Sequence, residues 1–225
     1  MLKVGIHENL VITKTTKNDQ GTLVIGFKEA GEIDPIAAMN SSDSVSFDKN
    51  EQDLLIYPPK LENMQGETKT ADVLMKDIAD VRDPLNKILQ QYKTKDSITW
   101  DIFAGTGLTA GDDFNKKLTT QGVIDKVYSN IVDQFIAQMA PFVGESGKKM
   151  RVLFIRQSKA KHYPRLRTKF LDSNPFIEPM VVPKAQSKVK FTKWETENGY
   201  ANPEPVGGQQ QVSAEDAKQA ESLFN

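Results

Sequence analysis

Asn9-Leu10-Val11-Ile12-Thr13-Lys14-Thr15-Thr16 and Thr22-Leu23-Val24-Ile25-Gly26-Phe27-Lys28, joined through Asn18-Asp19-Gln20-Gly21, decide the fold class of this chain. The first run alternates, with Leu10 and Ile12 set against Thr13 and Lys14, and the second is a β run that follows a strong turn signal. Two short β runs about a Gly-containing turn predict a hairpin. Gly26 inside the second run marks either a bulge or a point where another backbone approaches.

Working outward, residues 30–50 read as loop, and Asp53-Leu54-Leu55-Ile56-Tyr57 is a third β run stopped by Pro58-Pro59. The period then changes from two to about three and a half. Leu74, Ile78, Val81, Leu85, Ile88 and Tyr92 share one helix face, which Thr70 or Asp72 is placed to cap. Pro84 inside that pattern is expected to kink or restart the helix, with Asp83 capping the second half. Ser97 to Phe103 reads as a strand, and a second helix lies between Phe114 and Met139, with Ile124, Val127, Tyr128, Ile131, Phe135 and Met139 on one face, ended by Pro141. Met150 to Arg156 is a buried-type strand. Phe176 to Val182 and Ser187 to Lys193 are two more, the last alternating between Lys and apolar residues.

About seven short strands that do not alternate with helices predict a mainly β, α+β protein. A small OB-like barrel suits them better than a parallel sheet. The expected organisation is one domain over residues 1–195, with a helical insertion at about 66–143, and a flexible acidic tail over 196–225. That tail runs through Gly207-Gly208-Gln209-Gln210-Gln211 to a conditional helix from Ser213 to Phe224.

Composition excludes several classes. With no cysteine among 225 residues there is no disulfide frame, thiolate zinc site or thiol nucleophile. No signal-type core opens the chain and no run approaches the ~20 apolar residues of a membrane span, so a soluble, cytoplasmic protein with no membrane partner is expected. Gly105-Thr106-Gly107 with Gly111 lacks the Lys-Ser/Thr of a phosphate loop. Asp112-Asp113 and the Asp77, Asp80, Asp83 face read as solvated surface, and His7 and His162 lack zinc-ligand spacing. No serine has a nucleophile-elbow setting, so the expectation is a non-enzyme without cofactor or metal.

Charge is the positive signal. The formal total is −1, yet Lys148 to Lys193 holds thirteen Lys or Arg against Asp172 and Glu178 alone, a local +11. Residues 1–147 and 195–225 are both acidic, at −7 and −5. Such asymmetry points to nucleic acid or another polyanion. Within Arg156 to Phe170, the cations Lys159, Lys161, Arg165, Arg167 and Lys169 alternate. On an extended segment they share one face at about 7 Å spacing, close to a single-strand phosphate repeat. His162 and Tyr163 interleave rings able to stack on bases, and Trp100, Phe103 and Trp194, the last beside Lys193, are further platforms. Phe154, Phe170 and Phe191 read as core. Glu215, Asp216, Glu221, Leu223 and Phe224 form an acidic, apolar-ended tail suited to docking a protein partner or folding back on the basic groove.

Two stretches carry a resemblance. Gly5-Ile6-His7-Glu8-Asn9-Leu10, and Phe176-Ile177-Glu178-Pro179-Met180 before a Lys-alternating segment, resemble bacteriophage single-stranded-DNA-binding proteins. The resemblance covers the outer β segments and the tail, leaves out the helical insertion, and departs at the terminus, where Asn225 follows Phe224. It implies an OB-like barrel, a basic cleft and a tail for replication or recombination proteins, in a host cytoplasm. The resulting expectation is a protein that coats exposed single-stranded DNA. Its rivals are a virion or assembly protein with a basic face and an RNA-binding regulator.

Overall fold

A computed structural model describes residues 3–30, 51–92, 98–109, 118–144, 148–156, 164–167 and 173–201. The strands are β1 (Gly5–Lys17), β2 (Leu23–Glu29), β3 (Glu51–Ile56), β4 (Met150–Arg156), β5 (Pro164–Leu166) and β6 (Ile177–Pro179). Two long helices, α1 (Ala71–Tyr92) and α2 (Gln121–Met139), lie between β3 and β4, and a five-residue helix α3 (Lys193–Glu197) follows β6. The protein is α+β, with one antiparallel sheet ordered β3-β2-β1-β4-β5 and β6 paired with β4 beside β5.

The hairpin forms where it was predicted. Asn18 builds its turn, its Oδ1 accepting from the amides of Gln20 and Thr22 while its carbonyl accepts from Gly21. Thr13 is an extra residue in β1, since Ile12 faces Phe27 and Lys14 faces Gly26. A Cβ on Gly26 would lie 2.8 Å from both Lys14 Cγ and Thr13 Oγ1. The bulge therefore lies in the partner strand, opposite Gly26, and what approaches the glycine closely is side chain and not another backbone.

A second bulge sits in the Gly5-to-Leu10 stretch. His7 faces Val152 and Leu10 faces Met150, so Glu8 and Asn9 together oppose Arg151. Asn9 takes a left-handed φ of 59°, and Gly5 has φ 148°. Asn tolerates the first because its short polar side chain bonds locally, and the second suits only glycine. Two residues of this motif are thus accounted for by backbone geometry.

Inward side chains of the sheet (Leu10, Ile12, Leu23, Ile25, Phe27, Leu54, Val152 and Phe154) merge with the buried faces of α1 and α2 into one core. Phe27 and Phe154 meet edge to face at 5.5 Å, although β1 lies between their strands, so the sheet is curved. Tyr128 of α2 anchors the helical layer to the sheet. Its hydroxyl accepts from Leu23 N at 2.7 Å and donates to Ile56 O, the two residues that close the β2–β3 ladder.

Four expectations need correction. Helix α1 runs through Pro84 without a restart, and Asp83 pairs with Arg82 instead of capping. Trp100–Phe103 is a 3-10 helix, because Thr99 accepts from Asp101 N and turns the chain. Only Ile177–Pro179 of the 176–182 run pairs as strand. The 187–193 run forms no strand: Thr192 and Glu195 make a reciprocal capping box that starts α3. Its alternation still operates, with Val189 and Phe191 packed on the core and Lys188 and Lys190 exposed.

Candidate nucleic-acid interface

Strand β4 is buried along its whole length, which the sheet and helices alone do not explain. The amide of Leu153 donates to Phe176 O at 2.7 Å and that of Arg156 to Tyr200 O at 3.0 Å. Residues three apart in a strand direct their amides to opposite edges. The chain between these two anchors therefore crosses β4 as a strap. Packing continues through Tyr200, past the expected start of a free tail at residue 196.

Two buried ionic groups fix this arrangement. Arg167, just beyond β5, bonds Glu195 with Nε (2.8 Å) and Nη2 (2.7 Å), and donates to the carbonyls of Asn174 and Lys190. Arg151 joins Glu8 of β1, at 3.1 Å, to Glu178 of β6. Burial would lower the pKa of Arg151, but hydrogen bonds and charge from Glu178 and Glu8 outweigh it and raise the value, so the side chain stays charged.

The expected contact residues now divide. Arg156 is fully buried, with Nη1 donating to Gly199 O, and Arg167 is spent on Glu195. Neither guanidinium is open to a phosphate, which corrects the groove read from their alternation. Arg165 is partly buried on β5 and makes no ion pair among the described residues. Lys159, Lys161, His162, Tyr163 and Lys169 lie outside the described residues, as do Glu215, Asp216, Glu221, Leu223 and Phe224 of the tail. Trp100 begins the 3-10 helix, which packs on α2, and Phe103 is core.

What remains is an exposed cationic strap. Lys184, Lys188, Lys190 and Lys193 are all exposed; Lys184 lies 3.8 Å from Glu8 and Lys193 3.7 Å from Glu197, and both lysine heads stay solvated. Trp194 is half exposed and stacks on Tyr200, ring centroids 5.2 Å apart and planes 21° apart. Tyr200, which the sequence reading did not single out, is also the residue whose carbonyl holds Arg156. The strap thus sets an aromatic pair at the root of the connection from β4 to β5, residues 157–163.

No protein family, curated protein or solved structure matches this chain. Among the described residues no helix is long and apolar enough to cross a membrane, and no group of three His, Cys, Asp or Glu side chains is placed to hold a metal ion.

Proposed function

We propose that this protein is a non-enzymatic single-stranded-DNA-binding protein of OB-like plan, acting where phage DNA is replicated or recombined. The carrying observation is the strap: it presents four exposed lysines and a half-exposed Trp194 stacked on Tyr200, whose carbonyl holds the amide of Arg156 at the end of β4. Support for the OB-like plan comes from the strand order, with the sheet's end strands β3 and β5 in contact as in a partly open five-stranded barrel. In such barrels the connection between the fourth and fifth strands is one of the elements that grip oligonucleotides.

Binding then rests on counterion release at the lysines and stacking at the rings, with little sequence preference. The test is titration of a fluorescent oligo-dT strand against duplex DNA and RNA of equal length at two salt concentrations. The expected result is tightest binding to the single DNA strand, weakening as salt rises. Equal binding to duplex, or affinity indifferent to salt, overturns the reading, and a preference for ribose favours the RNA-binding alternative.

A further inference from the structure

We infer that Trp194, resting on Tyr200, is the base-stacking platform of this interface, and that Arg156 and Arg167 are the positioning residues that hold it there. The inference rests on the single-strand reading and adds the chemistry recognised: the face of an unpaired base, beyond the phosphate backbone. Three observations meet at this point. Trp194 keeps 51% of its surface exposed while stacked on Tyr200, an indole already oriented at little further entropic cost. Its helix is fixed from below, because the next residue, Glu195, is buried on Arg167 and closes the capping box on Thr192. Its stacking partner is fixed as well, through the Arg156 amide on Tyr200 O and Arg156 Nη1 on Gly199 O.

The two arginines come from different strands of the sheet, Arg156 at the close of β4 and Arg167 just after β5. The aromatic pair is therefore tied to the ends of both β4 and β5. A strand whose phosphates follow Lys188, Lys190 and Lys193, all exposed and the last adjacent to Trp194 in the chain, brings a base within the neighbourhood of the Trp194 ring. Duplex DNA, with its bases already stacked on one another, offers no free base face, so the same geometry selects single strands.

The experiment uses the full chain and two probes of equal length, an oligo-dT strand and an abasic strand with the same phosphates. Trp194→Ala is expected to weaken oligo-dT binding by about 5- to 100-fold and to leave abasic binding unchanged. Trp194→Phe, which keeps a ring, is expected to retain most of the oligo-dT affinity. Equal loss on both probes overturns the inference, since it would mark a phosphate contact or a folding defect. No loss on either probe overturns it too, and leaves the exposed ring to a protein partner. Failure of the unaltered protein to bind oligo-dT would instead remove the single-strand reading itself.

Discussion

Arg167 and Glu195 form a parallel, two-bond pair with side chains only 1% and 4% exposed, and the remaining Arg167 donors end on backbone carbonyls. The pair joins the end of β5 to the first turn of α3, 28 residues later in the chain. It therefore decides whether the strap lies down on β4. Removing one member of such a pair leaves an uncompensated buried charge, at a typical cost of about 3–5 kcal/mol. That is a large share of a domain stability of roughly 5–15 kcal/mol.

Glu195→Ala is accordingly expected to lower the unfolding free energy by about 3–5 kcal/mol, with loss of the capping box adding to it. Pairing it with Arg167→Met should cost less than Glu195→Ala alone, because the orphaned cation is gone. Urea unfolding of the two variants checks this. A double variant as unstable as the sum of the singles would show that the ion pair is not what holds the strap.

At Gly26 the expected defect is steric. The new methyl of Gly26→Ala meets Thr13 Oγ1 and Lys14 Cγ at 2.8 Å, and neither atom is the free end of a flexible side chain. Overpacking of this kind costs about 1–3 kcal/mol. Adding Thr13→Ala should recover part of the loss. A neutral Gly26→Ala in thermal unfolding would mean that the bulge in β1 shifts freely.

Alkaline pH should weaken the fold through two phenols, the buried Tyr128 and the partly buried Tyr92. Burial raises the Tyr92 and Tyr128 pKa values above the ordinary 10, the latter despite the opposing hydrogen bond from Leu23. The folded protein then holds both protons after the unfolded chain has released them. Stability is level below about pH 10 and falls as pH rises from there toward the folded pKa values. Tyr92→Phe should flatten that fall at little cost near neutrality, since its hydroxyl makes only a long 3.4 Å bond to Lys148 O. Unfolding curves across this alkaline range decide the point, and an unchanged slope in the variant would assign the loss to other groups.

What could be read in advance followed from period and turn chemistry. Asn18 to Gly21 announced its hairpin, and the spacing from Leu74 to Tyr92 was long enough to outvote Pro84. Helix α3 was hidden because five residues are too few to show a helical period, and Lys188 to Lys193 alternates like a strand for burial alone. The available signal was Thr192-Lys193-Trp194-Glu195, a capping box. The cations misled for a different reason. A charge count does not separate Lys188, which ends in water, from Arg167, which ends on Glu195. Guanidinium groups suit buried bidentate pairs, whereas lysine heads are strongly hydrated, and the described cations of 148–193 divide along that line. Among the described residues, the three buried ones, Arg151, Arg156 and Arg167, are arginines.

That division changes how the proposed interface should be probed. Replacing Arg165 and Arg167 together would confound lost contacts with a collapsed strap, since Arg167 is structural. Lys188 and Lys190 are the cleaner choice, because both are exposed and only the Val189 and Phe191 side chains between and beyond them pack on the core. Lys188→Ala with Lys190→Ala should leave the unfolding midpoint unchanged and weaken oligo-dT binding alike on all sequences. Each phosphate no longer neutralised removes about 0.7 from the slope of log affinity against log salt, so the double variant should lose roughly 1.4. Arg167→Lys, by contrast, should lower stability and leave the salt slope of the folded fraction intact. If the lysine pair leaves the slope unmoved while oligo-dT still binds, the strand runs elsewhere on the protein and the strap serves only to cover β4.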